Sequence, residues 1–143
     1  MVGALPWDIG NPKYAITVRV PGGDFDAIVQ KVREELSREG FGVLTEIDLK
    51  TTLKKKLDVD VPRYLILGAC HPELAHMAVK AEPGIGALLP CNVVVAQEKD
   101  AVAVSAIDPL VMFSVVDRPD IAALASQVKE KLSRSLNGVG SSI

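Results

Sequence analysis

Apolar and polar side chains alternate along residues 14–20, and this pattern predicts a strand with one buried face. The buried face is expected to carry Tyr14, Ile16, Val18 and Val20. Residues 43–49 alternate in the same way, with Val43, Thr45 and Ile47 on one face. Glu46 and Asp48 fall on the other face, which we expect to be exposed to water.

Two longer stretches show helical spacing instead. Apolar residues recur every three or four positions from Phe25 to Leu36, after Asp24 as a potential N-cap and before Gly40 as a stop. A second helix is predicted over residues 119–136, ended by Asn137-Gly138. Both apolar stripes predict helices that pack one face against a core.

Shorter elements fill the middle of the chain. Short helices are predicted at residues 50–57 and from Pro72 to about Ala81. Residues 63–71, "RYLILGACH", are apolar on both faces and predict a central strand covered on both sides. Two further strands, "CNVVVAQ" and "AVAVSAI", are separated by the charged turn "EKD" and predict a hairpin. The following "LVMFSVV" fits either a strand or a buried irregular segment.

The order of these elements predicts an α+β sandwich, with helices on one face of a mostly antiparallel sheet. Residues 1–13 have no sustained periodicity and are expected to form an N-terminal arm, either loose or lying on a neighbouring subunit. Residues 14–138 then form one α+β domain, and residues 139–143 a polar tail.

Composition narrows the class of protein. The 143 residues carry a formal net charge of −2, and no basic stripe indicates nucleic-acid binding. The one basic cluster, Lys54–Lys56, is interpreted as the solvent side of the short helix. The start of the chain has no signal-peptide pattern, and the longest uncharged stretch, residues 83–97, is too short and too rich in proline to span a membrane. We therefore expect a cytoplasmic protein with reduced thiols and with no nucleic-acid or membrane partner.

Four motifs occur in order along the chain: "GFGVLTEID" at 40–48, "LGACHP" at 67–72, "LLPCNV" at 88–93, and Asp108-Pro109. Together they resemble the prokaryotic family called domain of unknown function 302, over residues 14 to 136. The resemblance implies a β-α-β4-α fold similar to one repeat of the TATA-binding protein, often as a dimer, with no established activity. Family members often have asparagine where this chain has His71, which makes His71 a poor candidate for a shared ligand.

Residues 68–95 hold both cysteines and both histidines of the chain. Cys70 and His71 are adjacent and would leave opposite faces of a strand, no C-x-x-C pair is present, and we predict neither a metal site nor a cofactor. Cys70 precedes a helix start, where the helix dipole would stabilise a thiolate, and Cys91 could lie beside it. The preferred interpretation of both thiols is that they pack in the core as small hydrophobic residues. The remaining candidates are weaker: Glu46 with Asp48 as an acid–base pair, His76 as a proton carrier, and "EPGIG" at 82–86 as a phosphate loop that lacks the required lysine.

These observations favour a homodimeric module that binds or senses a small molecule. Its ligand-binding residues are expected to be Cys70, His71, Pro90, Cys91 and Asn92. The first alternative is a thiol-dependent redox or sulfur-transfer enzyme, with Cys70 as nucleophile and Cys91 as resolving thiol. The second alternative is an interaction domain without a ligand.

Overall fold

The computed structural model describes residues 7–140 and contains a five-stranded antiparallel sheet in the order β1-β5-β4-β3-β2. The predicted positions of residues 1–6 in the arm and 141–143 in the tail lie outside this part of the chain. The strands are β1 (Ala15–Pro21), β2 (Gly42–Asp48), β3 (Tyr64–Cys70), β4 (Cys91–Gln97) and β5 (Ala101–Ile107). The predicted hairpin is confirmed, since β4 and β5 pair antiparallel across a turn closed by the Glu98 amide on the Ala101 carbonyl.

The helices are α1 (Phe25–Arg38), α2 (Leu49–Leu57), α3 (Pro72–Ala81), α4 (Pro109–Met112) and α5 (Pro119–Asn137). Asp24, Asp48 and Asp108 cap α1, α2 and α4, each accepting a hydrogen bond from a backbone amide of the first turn. The ambiguous "LVMFSVV" segment forms α4 and a 3-10 turn at Phe113–Val116, because Asp108-Pro109 supplies both a cap and a fixed first residue. A second 3-10 turn at Pro83–Leu88 follows α3.

The core lies between the sheet and the two long helices. Val18, Val104, Val95 and Leu65 face the helices from adjacent positions on four strands, as the strand register requires. The apolar stripes of α1 and α5 cover them, and both Leu36 and Leu132 are completely enclosed. The predicted α+β architecture, with helices packed on one face of an antiparallel sheet, is thus confirmed.

Strict alternation along β2 is interrupted by a bulge at Leu44. Val43 pairs with Ala69 whereas Thr45 pairs with Gly68, so an extra residue shifts the register between them. Val43 therefore faces the helices and Thr45 the opposite side, although the sequence pattern predicted a shared face. Glu46 is exposed as expected, but it lies on the helix side, where its carboxylate pairs with Arg33 of α1 at 2.7 Å.

The sheet face opposite the helices is covered only in part. One row of side chains across it runs Arg19, Ala103, Ala96 and Tyr64. Ala103 and Ala96 are almost fully buried although no helix lies above them, because residues 7–11 cross the sheet there. The described part of the arm, residues 7–13, thus lies on the sheet of its own chain, a placement the sequence did not predict. The expectation that β3 is covered on both sides is wrong for Ile66, which stays half-buried on this open face.

Candidate functional site

The five residues predicted to bind a ligand are divided between two sides of the sheet. Cys70, His71 and Cys91 border a crevice between the sheet, α3 and α5. Pro90 and Asn92 border a different cleft, on the open face. The division follows from strand geometry, because Cys91 faces the helices from β4 and the next residue, Asn92, points the other way.

The crevice beside the cysteines is apolar and very small. Its volume is about 30 Å³, which admits a water molecule or two but no metabolite. Phe41 from the α1–β2 connection, Leu74 from α3 and Phe113 from the 3-10 turn after α4 border it. A ligand of useful size would need the α3–α5 packing to open.

Both thiols are free, and neither is placed to be a thiolate. Burial raises the pKa of the Cys91 thiol to about 11, and the neighbouring Cys70 thiol adds to the rise. Burial also raises the pKa of Cys70, which opposes the thiolate stabilisation expected from the helix start. Ala69, not Cys70, lies opposite Cys91 in the strand register.

The N-cap of α3 is His71, which separates Cys70 from the helix. The His71 Nδ1 atom accepts a hydrogen bond from the Leu74 amide at 3.4 Å, and its ring packs edge-on against Phe41. Gly40, whose φ is +88°, approaches the same ring so closely that a Cβ atom would lie 2.8 Å from Nε2. These contacts assign His71 to capping and packing.

The cleft bordered by Pro90 and Asn92 lies on the open face of the sheet and has a volume of about 280 Å³. Val94, Ser105 and Ile107 form its floor. Ile9, Pro12 and Tyr14 of the arm form one side, and the other residues around it are Ala15, Tyr64, Pro90, Asn92 and Met112. An apolar concavity with a few polar groups is the usual form of a small-molecule site.

The polar groups of this cleft are all neutral. Asn92 presents an exposed carboxamide, and the Ser105 hydroxyl is 2.8 Å from the Thr17 hydroxyl. Burial raises the pKa of the Tyr64 phenol, and the nearby Tyr14 phenol raises it further. Tyr64 is therefore a neutral hydrogen-bond donor at physiological pH.

The arm is held over the sheet by one buried ion pair. The Arg19 guanidinium donates from Nε to Glu98 at 2.8 Å and from Nη2 to the Gly10 carbonyl at 2.8 Å. The other Glu98 oxygen accepts from the Ile9 amide at 2.9 Å. At the far end of the arm, the Trp7 ring meets the Tyr64 ring edge-on at 5.8 Å. The wall formed by residues 9–14 therefore depends on the Arg19–Glu98 pair.

A third depression, of about 360 Å³, lies at the start of α5. Arg118 borders it, but its guanidinium is held by Asp120, Glu82 and the Ala81 carbonyl. Such a guanidinium has few donors left for an anion. Within residues 7–140 there is also no group of three or more His, Cys, Asp or Glu side chains suited to hold a metal ion.

Sequence reasoning found Pro90 and Asn92 but missed the arm, Tyr14, Tyr64 and Met112. One feature of the sequence did indicate that a segment covers this face. Ala96, Ala101 and Ala103 are small residues on one face of the predicted hairpin, which is typical of a surface that another segment approaches closely. Nothing in the pattern indicated that residues 7–11 supply that segment.

No described helix, from Trp7 to Gly140, combines the length and apolarity needed to cross a membrane. The chain has no significant match among curated proteins. The family model described as a domain of unknown function, DUF302, matches residues 16–139. The crystal structure of an uncharacterized conserved protein DUF302 from Bacillus stearothermophilus is similar, with a TM-score of 0.83 at 24% identity, covering 90% of this chain and 99% of that one. That similarity establishes the shared fold, and the match to the family model covers most of the sequence. The chain therefore belongs to the DUF302 family.

Proposed function

We propose that this domain is a non-catalytic module that binds a small molecule in the cleft on the open face of the sheet. The observation that carries the proposal is the cleft itself, which combines a mostly apolar floor, two tyrosine rings and the Asn92 carboxamide in about 280 Å³. Pockets of roughly 300 Å³ and above hold metabolite-sized ligands in other proteins. The site keeps Pro90 and Asn92 of the predicted set and leaves Cys70, His71 and Cys91 outside.

The thiol-dependent enzyme is less well supported than the binding module. Both thiols have raised pKa values, so the reactive thiolate is a minor species at neutral pH. Cys91 is also 5% exposed, which limits the access of a substrate or thiol reagent.

A fragment library screened by saturation-transfer NMR tests the proposed site. Val94→Phe places a larger side chain on the floor of the cleft, and Ile47→Phe makes the matched change on the same sheet face outside it. We expect hits that bind the wild-type protein and Ile47→Phe and lose their signal with Val94→Phe. If no hit is sensitive to Val94→Phe while that variant keeps its native circular dichroism, the cleft is not a ligand site.

The homodimer implied by the family resemblance remains a prediction. Leu110, Val111 and Val115 expose aliphatic surface beside Met112 and the cleft, which a second copy would cover. Native mass spectrometry of the purified protein measures the oligomeric state directly, and a monomeric mass at high concentration would contradict the prediction.

A further inference from the structure

The residues around the sheet-face cleft restrict the charge of any ligand that it binds. None of the described residues bordering it is Asp, Glu, Lys, Arg or His. Two ion pairs lie near it, Arg19 with Glu98 under the arm and Asp108 with Lys129 at the end of β5, and in each pair the two charges compensate each other. A charged ligand group would give up part of its hydration in the cleft without gaining a counter-ion from the residues that border it. The cleft therefore favours an uncharged molecule.

The aromatic side chains that border the cleft favour a flat ligand. Tyr14 and Tyr64 border it, and the edge-on contact with Trp7 buttresses the Tyr64 ring. Aromatic rings contact planar ring systems by offset stacking or edge-to-face packing. The volume of about 280 Å³ limits the ligand to one or two rings.

The hydrogen-bonding groups add a third restriction. Asn92 lies beside Gly68 in the strand register, so no side chain from β3 screens its exposed carboxamide. A carboxamide offers a carbonyl acceptor next to two N–H donors. It pairs in two parallel hydrogen bonds with any group that presents a donor beside an acceptor, namely an amide or a lactam.

Resting on the proposed function, we infer that the ligand is an uncharged planar compound of one or two rings that presents an amide or lactam edge to Asn92. Two sources share this chemistry: aromatic carboxamides and free nucleobases. The Asn92 side chain would be the specificity-determining group, with the tyrosine rings and Val94 supplying the apolar contact.

Two matched pairs of probes test the inference by protein-observed NMR titration. Nicotinamide with nicotinate represents the aromatic carboxamides, and uracil with orotate represents the nucleobases; each pair differs by an anionic carboxylate. We expect at least one neutral member to shift the cleft resonances with a dissociation constant at least about tenfold below that of its anionic partner. The pair that shows the larger ratio identifies the source.

Asn92→Asp tests the role of the carboxamide, because it retains the shape while removing the donor and adding charge. It should weaken binding of the neutral probe at least about tenfold, whereas Gln30→Glu, the same chemical change on the exposed side of α1, should not alter it. Three results would each overturn the inference. They are equal binding of the two members of each pair, no resonance shifts with nicotinamide and none with uracil, and an unchanged affinity for the neutral probe in Asn92→Asp. Fragment hits that remain sensitive to Val94→Phe would then still support the cleft as a binding site for another class of ligand.

Discussion

The N-terminal arm should detach when the charge of Glu98 is removed. Glu98→Gln keeps the size of the side chain but replaces one of its two acceptor oxygens by an NH₂ group. With the remaining oxygen placed to accept from Arg19 Nη2 (3.2 Å) and the Ile9 amide (2.9 Å), the hydrogen bond from Arg19 Nε (2.8 Å) is lost. Loss of one hydrogen bond between charged groups costs about 1.5–3 kcal/mol, and the two remaining bonds lose the carboxylate charge, so we expect a gross loss of about 3 kcal/mol. The Arg19 side chain is 17% exposed, and detachment of the arm lets water reach its guanidinium. We therefore expect a net loss of about 2–3 kcal/mol, below the cost of breaking a fully buried pair.

The single tryptophan makes this release visible. Trp7 is the only tryptophan in the chain and packs against Tyr64, so its emission reports the position of the arm alone. In Glu98→Gln the emission should shift to the red in the absence of denaturant while far-UV circular dichroism stays native. Urea unfolding followed by circular dichroism then measures the lost free energy. The exposed Glu34→Gln on α1 is the matched control and should change stability by less than about 0.5 kcal/mol.

A double-mutant cycle separates the ion pair from other effects of the substitution. Arg19→Met, Glu98→Gln and the combined variant should give a coupling free energy of about 2 kcal/mol, since the two side chains share their hydrogen bonds. Unchanged Trp7 emission together with a coupling near zero would refute the conclusion that this pair holds the arm.

Three further changes test the core and the sheet face. Because burial raises the pKa of Cys91 in the folded protein, the contribution of this thiol to stability is fully present below its unfolded pKa and is lost as pH rises toward about 11. Between about pH 8 and about pH 10.5, the free energy of unfolding measured by urea titration should therefore fall by about 2 kcal/mol more in the wild type than in Cys91→Ala. An equal fall in the two proteins would contradict this. Gly68→Ala would bring a Cβ atom against the Thr45 hydroxyl and within 2.8 Å of Pro90 Cγ, and we expect it to lower the free energy of unfolding by about 1–3 kcal/mol, measured by thermal unfolding. An unchanged Tm would show instead that the neighbouring side chains move aside freely. Leu132→Ala, at a position with 0% exposure, should cost about 3–4 kcal/mol, and a loss below about 1 kcal/mol would show that α5 packs less tightly than described.

Local patterns in the chain predicted most of the secondary structure. Asp24, Pro72 and the "EKD" turn act within a few residues of themselves, so capping, first-turn proline and hairpin closure could be recognised without the fold. The helical stripes of α1 and α5 likewise predicted which faces enter the core. The bulge at Leu44 could not be seen, because it is defined by pairing with β3 rather than by β2 alone.

The sequence by itself determined most of the elements, the buried faces of the two long helices and the family to which the chain belongs. Only the tertiary structure decided the candidate site, because strand alternation sends Cys91 and Asn92 to opposite sides of the sheet and the crevice near the cysteines is too small for a ligand. It also decided the position of the arm, through an ion pair between Arg19 and Glu98, which are 79 residues apart in sequence. Periodicity reports short-range neighbours, whereas this cleft is assembled from contacts between distant segments that no local pattern encodes.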